Sequence, residues 1–148
     1  MTITLLEKAT AEELEALQNH IWNYFVNINK AKTKDVLLST FKELFEDWTG
    51  KGKRLRRYRN SFVAINAKAT NEYKDRTVIA HIANRFQNPC ISGFFRELGV
   101  TVDEDKLALA ELVQCIWRSA IREGKEIQLY IPSKRMRGLL QDWLDKGA

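Results

Sequence analysis

The chain is poor in the residues that advertise a chemistry: of 148 residues, two are cysteine, two histidine and two proline. Cys90 and Cys115 sit inside apolar patterns without a CxxC spacing, which reads as reduced core residues of an intracellular protein and sets aside a disulfide scaffold or a zinc site. His20 and His81 fall in separate segments that both read as helix. Neither has an acid or second histidine at ligand spacing, so both are expected to be structural and no metal is expected. Ser133 likewise lacks a histidine at any motif spacing. No apolar run approaches the roughly 20 residues of a membrane span. The N-terminus MTITLLEKAT lacks a basic leader before an apolar core, so a cytoplasmic location is expected. The phosphate-loop spacing G-x-x-x-x-G-K-[ST] is missing too, because Lys53 is followed by Arg54; no nucleotide or other cofactor is expected.

What is present is an ordinary globular composition, 45% hydrophobic and 29% charged. A chain of this length buries about two-thirds of its unfolded surface in one domain. The net charge of +5 is unevenly spread. Residues 1–50 hold 5 basic and 8 acidic side chains, 51–100 hold 11 and 3, and 101–148 hold 8 and 8. The surplus is therefore local to the middle third.

The last third is the most legible. Asp103, Glu104 and Asp105 suit a helix N-terminus, and the same placement explains them without a metal. Leu109, Val113, Ile116 and Ala120 recur at helical spacing, with Leu112, Trp117 and Ile121 widening the buried stripe up to a stop at Gly124. In 126–131 the period switches to two, with Ile127, Leu129 and Ile131 on one face and Gln128 and Tyr130 on the other. After Pro132, Ser133 caps a second amphipathic helix carrying Met136, Leu139, Leu140, Trp143 and Leu144.

Taken in order, Thr10 to Glu13 form a capping box before a helix with Leu14, Leu17, Ile21, Phe25 and Ile28. Thr33 is expected to cap a second helix carrying Val36, Leu37, Phe41, Leu44, Phe45 and Trp48. Residues 50–60, GKGKRLRRYRN, then place Lys51, Lys53, Arg54, Arg56, Arg57 and Arg59 in what reads as a loop. Residues 61–67 read as a buried strand, parallel to and paired with 126–131. Asp75 is expected to cap a helix with Val78, Ile79, Ile82 and Phe86, with His81 on its side. A short helix with Ile91, Phe94, Phe95 and Leu98 ends at Gly99. The fold class is α/β: a single, mostly helical domain over 1–148 with a small parallel sheet. Its parts are a helical 1–49, a basic loop 50–60 and an α/β part 61–148. Two strands are few for a sheet, so a third strand or a homodimer would complete it.

The segment Ala69 to Tyr73 (ATNEY), at the carboxyl end of a strand, and Gln114 to Arg122 (QCIWRSAIR), on a later helix, resemble two helicase motifs. These are the fifth and sixth motifs of the second RecA-like lobe of superfamily 2 helicases, in the divergent form of phage and mobile-element helicase-like proteins. The resemblance covers roughly 60–144. It implies that Thr70, Asn71, Gln114, Arg118 and Arg122 are the helicase-motif-like residues, with Arg118 and Arg122 as arginine fingers toward a nucleotide between two lobes. Arg118 matches the first arginine of the sixth motif. Arg122 stands one position beyond the second, and Trp117 replaces a glycine. The family's ATP chemistry needs a phosphate loop and a magnesium-binding acid on a first lobe, and this chain carries neither.

No catalytic constellation remains, and an enzyme is not expected. Six cations in nine positions repel one another unless a polyanion or an acidic surface neutralises them. Nucleic acid, DNA or RNA, is the expected partner. It would be held through Lys51, Lys53, Arg54, Arg56, Arg57 and Arg59, with Tyr58 stacking on a base and Lys134, Arg135 and Arg137 as a second basic site. The competing expectation is a small inhibitor or adaptor that binds a host or phage protein, such as a nucleoprotein complex, with Trp22 as the aromatic anchor.

Overall fold

The computed structural model describes residues 10–40, 42–64, 72–82, 89–101 and 103–147, with backbone alone at 42–44, 64 and 89–92. Val36–Thr40 (β1), Phe62–Ala64 (β2), Val78–His81 (β3) and Gln128–Tyr130 (β4) form one sheet. Every pairing is parallel and the order is β2-β1-β3-β4. The α/β class with a small parallel sheet is as expected, but the sheet has two further strands, and they are its centre. The helices expected from Thr33 and from Asp75 begin instead as β1 and β3. Every residue of both strands is buried. A strand covered on both faces shows no polar alternation, so its short apolar run cannot be told from a buried helix by period. β2 and β4, expected to pair with each other, lie at opposite edges. Residues 65–67 of the expected first strand lie outside the described residues.

Helices cover both faces. Ala11–Asn23 (α1) starts with the expected capping box: Glu13 N–H donates to Thr10 Oγ1 at 3.1 Å and Thr10 N–H to Glu13 Oε2 at 2.9 Å. It runs on as a π-helical turn, Tyr24–Ile28. This continuous element presses Ile21 and Phe25 onto Val36, Leu38, Val78 and Ala80. Burying each such Ile or Phe contributes about 1.5–3 kcal/mol. The opposite face holds Leu37, Val63 and Ile79, against which Ile127 and Leu129 pack. Those two residues also pack on the cluster shared by Glu104–Trp117 and Lys134–Asp145, in which Ala108, Leu112, Ile116, Met136 and Leu140 are buried. Before these two helices come Lys42–Trp48 (α2) and Pro89–Glu97 (α3), so they are α4 and α5.

The helix expected to run to Gly124 stops as α4 at Trp117. Ala120 N–H bonds to Arg76 O at 2.8 Å, drawing the chain away from the helix axis. Gly124, at φ 75°, closes a 3-10 turn, Ala120–Glu123, and not the α-helix. The buried stripe of α4 is Ala108, Leu112, Cys115 and Ile116, and Trp117, expected inside, is 54% exposed. Ser133 caps α5 as expected, accepting from Met136 N–H at 3.3 Å.

Candidate nucleic-acid interface

The basic segment is not the open loop its composition implies. Arg54–Ser61 is a 3-10 helix kinked at Tyr58. Leu55 and Tyr58 are its buried apolar positions and pin it into the core beside Ile21, Phe25 and Trp48. The Tyr58 ring meets Phe25 edge-on, centroids 5.0 Å apart. A side chain so placed cannot stack on a base, which overturns the role expected for Tyr58. Burial raises its phenol pKa, an effect that Arg57 opposes. Its hydroxyl has no hydrogen-bond partner among the described residues.

The two apolar anchors leave the cations outside. Lys51, Lys53, Arg54, Arg56, Arg57 and Arg59 are all exposed. None of the six makes an ion pair among the described residues. Arg54 lies 5.3 Å over the Trp22 ring and Arg57 5.3 Å over Tyr58, contacts that orient a guanidinium without neutralising it. The turn feeds directly into the amino end of β2. There Ser61 Oγ donates to Thr33 O at 2.8 Å. The exposed Lys32 and Lys34 flank Thr33 and so extend the basic surface. No sequence signal marked them, because they fall in the acidic first third.

The second basic segment is tied into the fold. Arg135 Nη2 sits 2.7 Å from Asp105 Oδ1, joining α5 to the start of α4. Arg137 Nη1 donates to Ile131 O at 2.7 Å and Pro132 O at 2.9 Å. Of the three expected contacts only Lys134 is exposed and without a bond of this kind. Arg135 is thus paired with a carboxylate, whereas Arg137 is held by backbone carbonyls and stays exposed.

The helicase-like residues divide. Thr70 and Asn71 lie outside the described residues. Gln114 and Arg122 are exposed, whereas Arg118, at the C-cap of α4, is 7% exposed. Buried polar groups gather on the α4 side of the central strands. Ser39 and His81 are register partners across β1 and β3. Burial raises the pKa of the Cys115 thiol, and the nearby Ser39 hydroxyl and Arg118 guanidinium oppose it. His81, expected on a helix, lies on β3; burial lowers it to about 4, so it is neutral at pH 7. Thr40 Oγ1 donates to Ile82 O at 3.2 Å, and Ile82 N–H to Ser39 O at 2.8 Å, lacing β1 to β3 at their carboxyl ends. Among the described residues no group of His, Cys, Asp and Glu is arranged to hold a metal ion. No helix of these residues is long and apolar enough to cross a membrane.

The strand order places the reversal of direction between β1 and β3, the point at which open parallel sheets make a crevice. Residues 1–144 match the family described as YonV C-terminal Rossmann-like domain. The SPbeta prophage-derived uncharacterized protein YonV of Bacillus subtilis (strain 168) is 48% identical over 129 residues, which is 87% of this chain and 30% of that relative. No solved structure matches. With its parallel β2-β1-β3-β4 sheet and a match over nearly its whole length, the chain belongs to the YonV C-terminal Rossmann-like domain family.

Proposed function

We propose that the chain is a non-catalytic nucleic-acid-binding module that grips phosphates through Lys51, Lys53, Arg54, Arg56, Arg57 and Arg59, with Lys32 and Lys34 at its margins and Lys134, at the opposite edge of the sheet, as a separate exposed cation. The carrying observation is the anchored basic turn: two buried side chains fix it, and six exposed cations lie outside every ion pair among the described residues. A fixed array loses less side-chain freedom on binding than a floppy tail. Each phosphate neutralised releases counterions, so log affinity falls with log salt by roughly 0.9 per contact on duplex DNA. Replacing the six cations by serine should abolish most of that slope in an anisotropy titration; unchanged affinity and slope would refute the proposal.

Within this proposal the module is of the helicase second-lobe type. Support comes from the all-parallel sheet and from Gln114 and Arg118, one turn apart at the end of α4, with Arg122 in the 3-10 turn that follows. Without a phosphate loop the chain alone positions no triphosphate. Purified protein is expected to show no nucleic-acid-stimulated ATP hydrolysis. Activity that vanished in Arg118→Ala would contradict this.

A second function, that of an inhibitor or adaptor bound to a protein, is favoured by α3. Phe94 is 58% and Leu98 63% exposed, with Val100 at 50% beside them, an apolar surface of the kind that contacts proteins. Trp22, the anchor expected from sequence, is half-buried. Partners captured from host lysate that survive nuclease treatment would favour this function.

A further inference from the structure

A cavity of about 510 Å3 lies beside the basic turn, between α1, the end of α2 and the start of the turn. Its size falls within the roughly 300–1,000 Å3 of small-molecule sites. Its polar lining comes from Glu15, Gln18 and Asn19 on α1, Asp47 on α2, and Lys53 and Arg54. Both signs of charge line one cleft, yet neither Glu15 nor Asp47 makes an ion pair among the described residues. Gln18 is 6% exposed, and its Nε2 is committed to Trp48 O at 3.3 Å, leaving its carbonyl oxygen as an acceptor. The Asn19 amide makes no side-chain hydrogen bond among the described residues. The α1 and α2 walls therefore offer chiefly acceptors, and Lys53 and Arg54 on the side of the turn offer donors. Two carboxylates keep a phosphate out, while Lys53 and Arg54 stand where flanking phosphates would pass.

We infer that this cleft receives one unstacked base of a single strand, and that it selects a base carrying an exocyclic amino group. The inference rests on the proposed phosphate contacts. Cytosine, adenine and guanine each present an amino donor to Glu15, Asp47 or the Gln18 carbonyl; thymine and uracil have no such group, and their one edge donor, the imide N3–H, lies between two carbonyl oxygens that the carboxylates repel. A base enters a cavity of this kind only after leaving its stack, which single strands allow at least cost.

The test compares labelled oligo(dC) and oligo(dT) of about twelve nucleotides, a length within the usual single-strand site size. Anisotropy is read over a salt series for the wild-type chain and for Glu15→Ala/Asp47→Ala. Both substituted residues are exposed, so the fold is kept. The double variant gains positive charge and should bind both strands more tightly, so the readout is the ratio of the two affinities. Wild type is expected to favour oligo(dC) by about fivefold or more, the lower end of one specific base contact. The variant's ratio should fall toward one at an unchanged salt slope. Salt-dependent binding with equal affinities in the wild type, or a preference that survives in the variant, overturns the base cleft and leaves the phosphate contacts standing. Absence of binding to either strand overturns both.

Discussion

Tyr58 packs edge-on against Phe25 with ring centroids 5.0 Å apart, and its hydroxyl, in the same buried setting, finds no partner among the described residues. The ring holds the basic turn while the hydroxyl pays an uncompensated desolvation cost. Tyr58→Phe is expected to keep stability or raise it, by up to about 1–3 kcal/mol. Tyr58→Ala should lose roughly 3–5 kcal/mol. Chemical denaturation of both variants checks the pair; a marked loss in Tyr58→Phe would mean that the hydroxyl has a partner after all.

His81 sets a pH dependence. Its ordinary value of 6.5 falls to about 4 in the fold through burial, so between those values the unfolded chain binds a proton that the folded chain refuses. Its contribution is fully present above pH 6.5 and is lost as the pH falls toward 4. The loss is of order 3 kcal/mol. Urea titrations across this range should show it, with a shallower fall in His81→Gln. Equal slopes for the two proteins would rule His81 out as the cause.

Removal of the Ser133 hydroxyl exposes how α5 begins. Ser133→Ala leaves the Met136 N–H without its acceptor and should cost about 1 kcal/mol. Ser133→Asp should restore most of it, because a carboxylate also suits a helix N-terminus. Thermal melts of the two variants give the comparison.

The Arg135 and Asp105 pair is short, but Asp105 is 62% exposed. Water screens it, so Asp105→Ala should cost under about 1 kcal/mol, and less still at high salt. Because Arg135 is already engaged there, Arg135→Ala should weaken nucleic-acid binding less than Arg56→Ala, as judged by anisotropy.

Substitution of apolar groups on α3 and just past its end should be tolerated by the fold. Phe94→Ser and Leu98→Ser remove side chains that are 58% and 63% exposed, so unfolding free energies should change by less than about 1 kcal/mol. Self-association, read by sedimentation, should fall or stay absent. A large loss of stability would show that the helix packs inward.

Sequence patterns reveal the periphery of this fold better than its centre. Thr10 and Glu13, Ser133, and the alternation at Ile127 and Leu129 are local signals that structure merely executes. Val36 to Thr40 and Val78 to His81 carry no such signal, because burial on both faces erases the polar alternation that marks a strand. The six cations are legible as charge, but Leu55 and Tyr58, which decide how they are displayed, carry no periodic signal inside a segment that reads as a loop. The addition of Lys32 and Lys34 depends on the contact between Ser61 and Thr33, twenty-eight positions apart, which no linear pattern records.

The lacing of β1 to β3 also governs how the chain reaches this state. Thr40 bonds to Ile82 across a separation of forty-two residues, and each strand pairing in the sheet is parallel. No ladder can therefore start from a hairpin, and every one must wait for a long loop to close. α1, with its self-contained capping box, is able to form early, whereas the sheet must assemble late. During synthesis the central strands leave the ribosome well before β4 arrives to cover β3, so the apolar ladder spends its riskiest interval with an open edge.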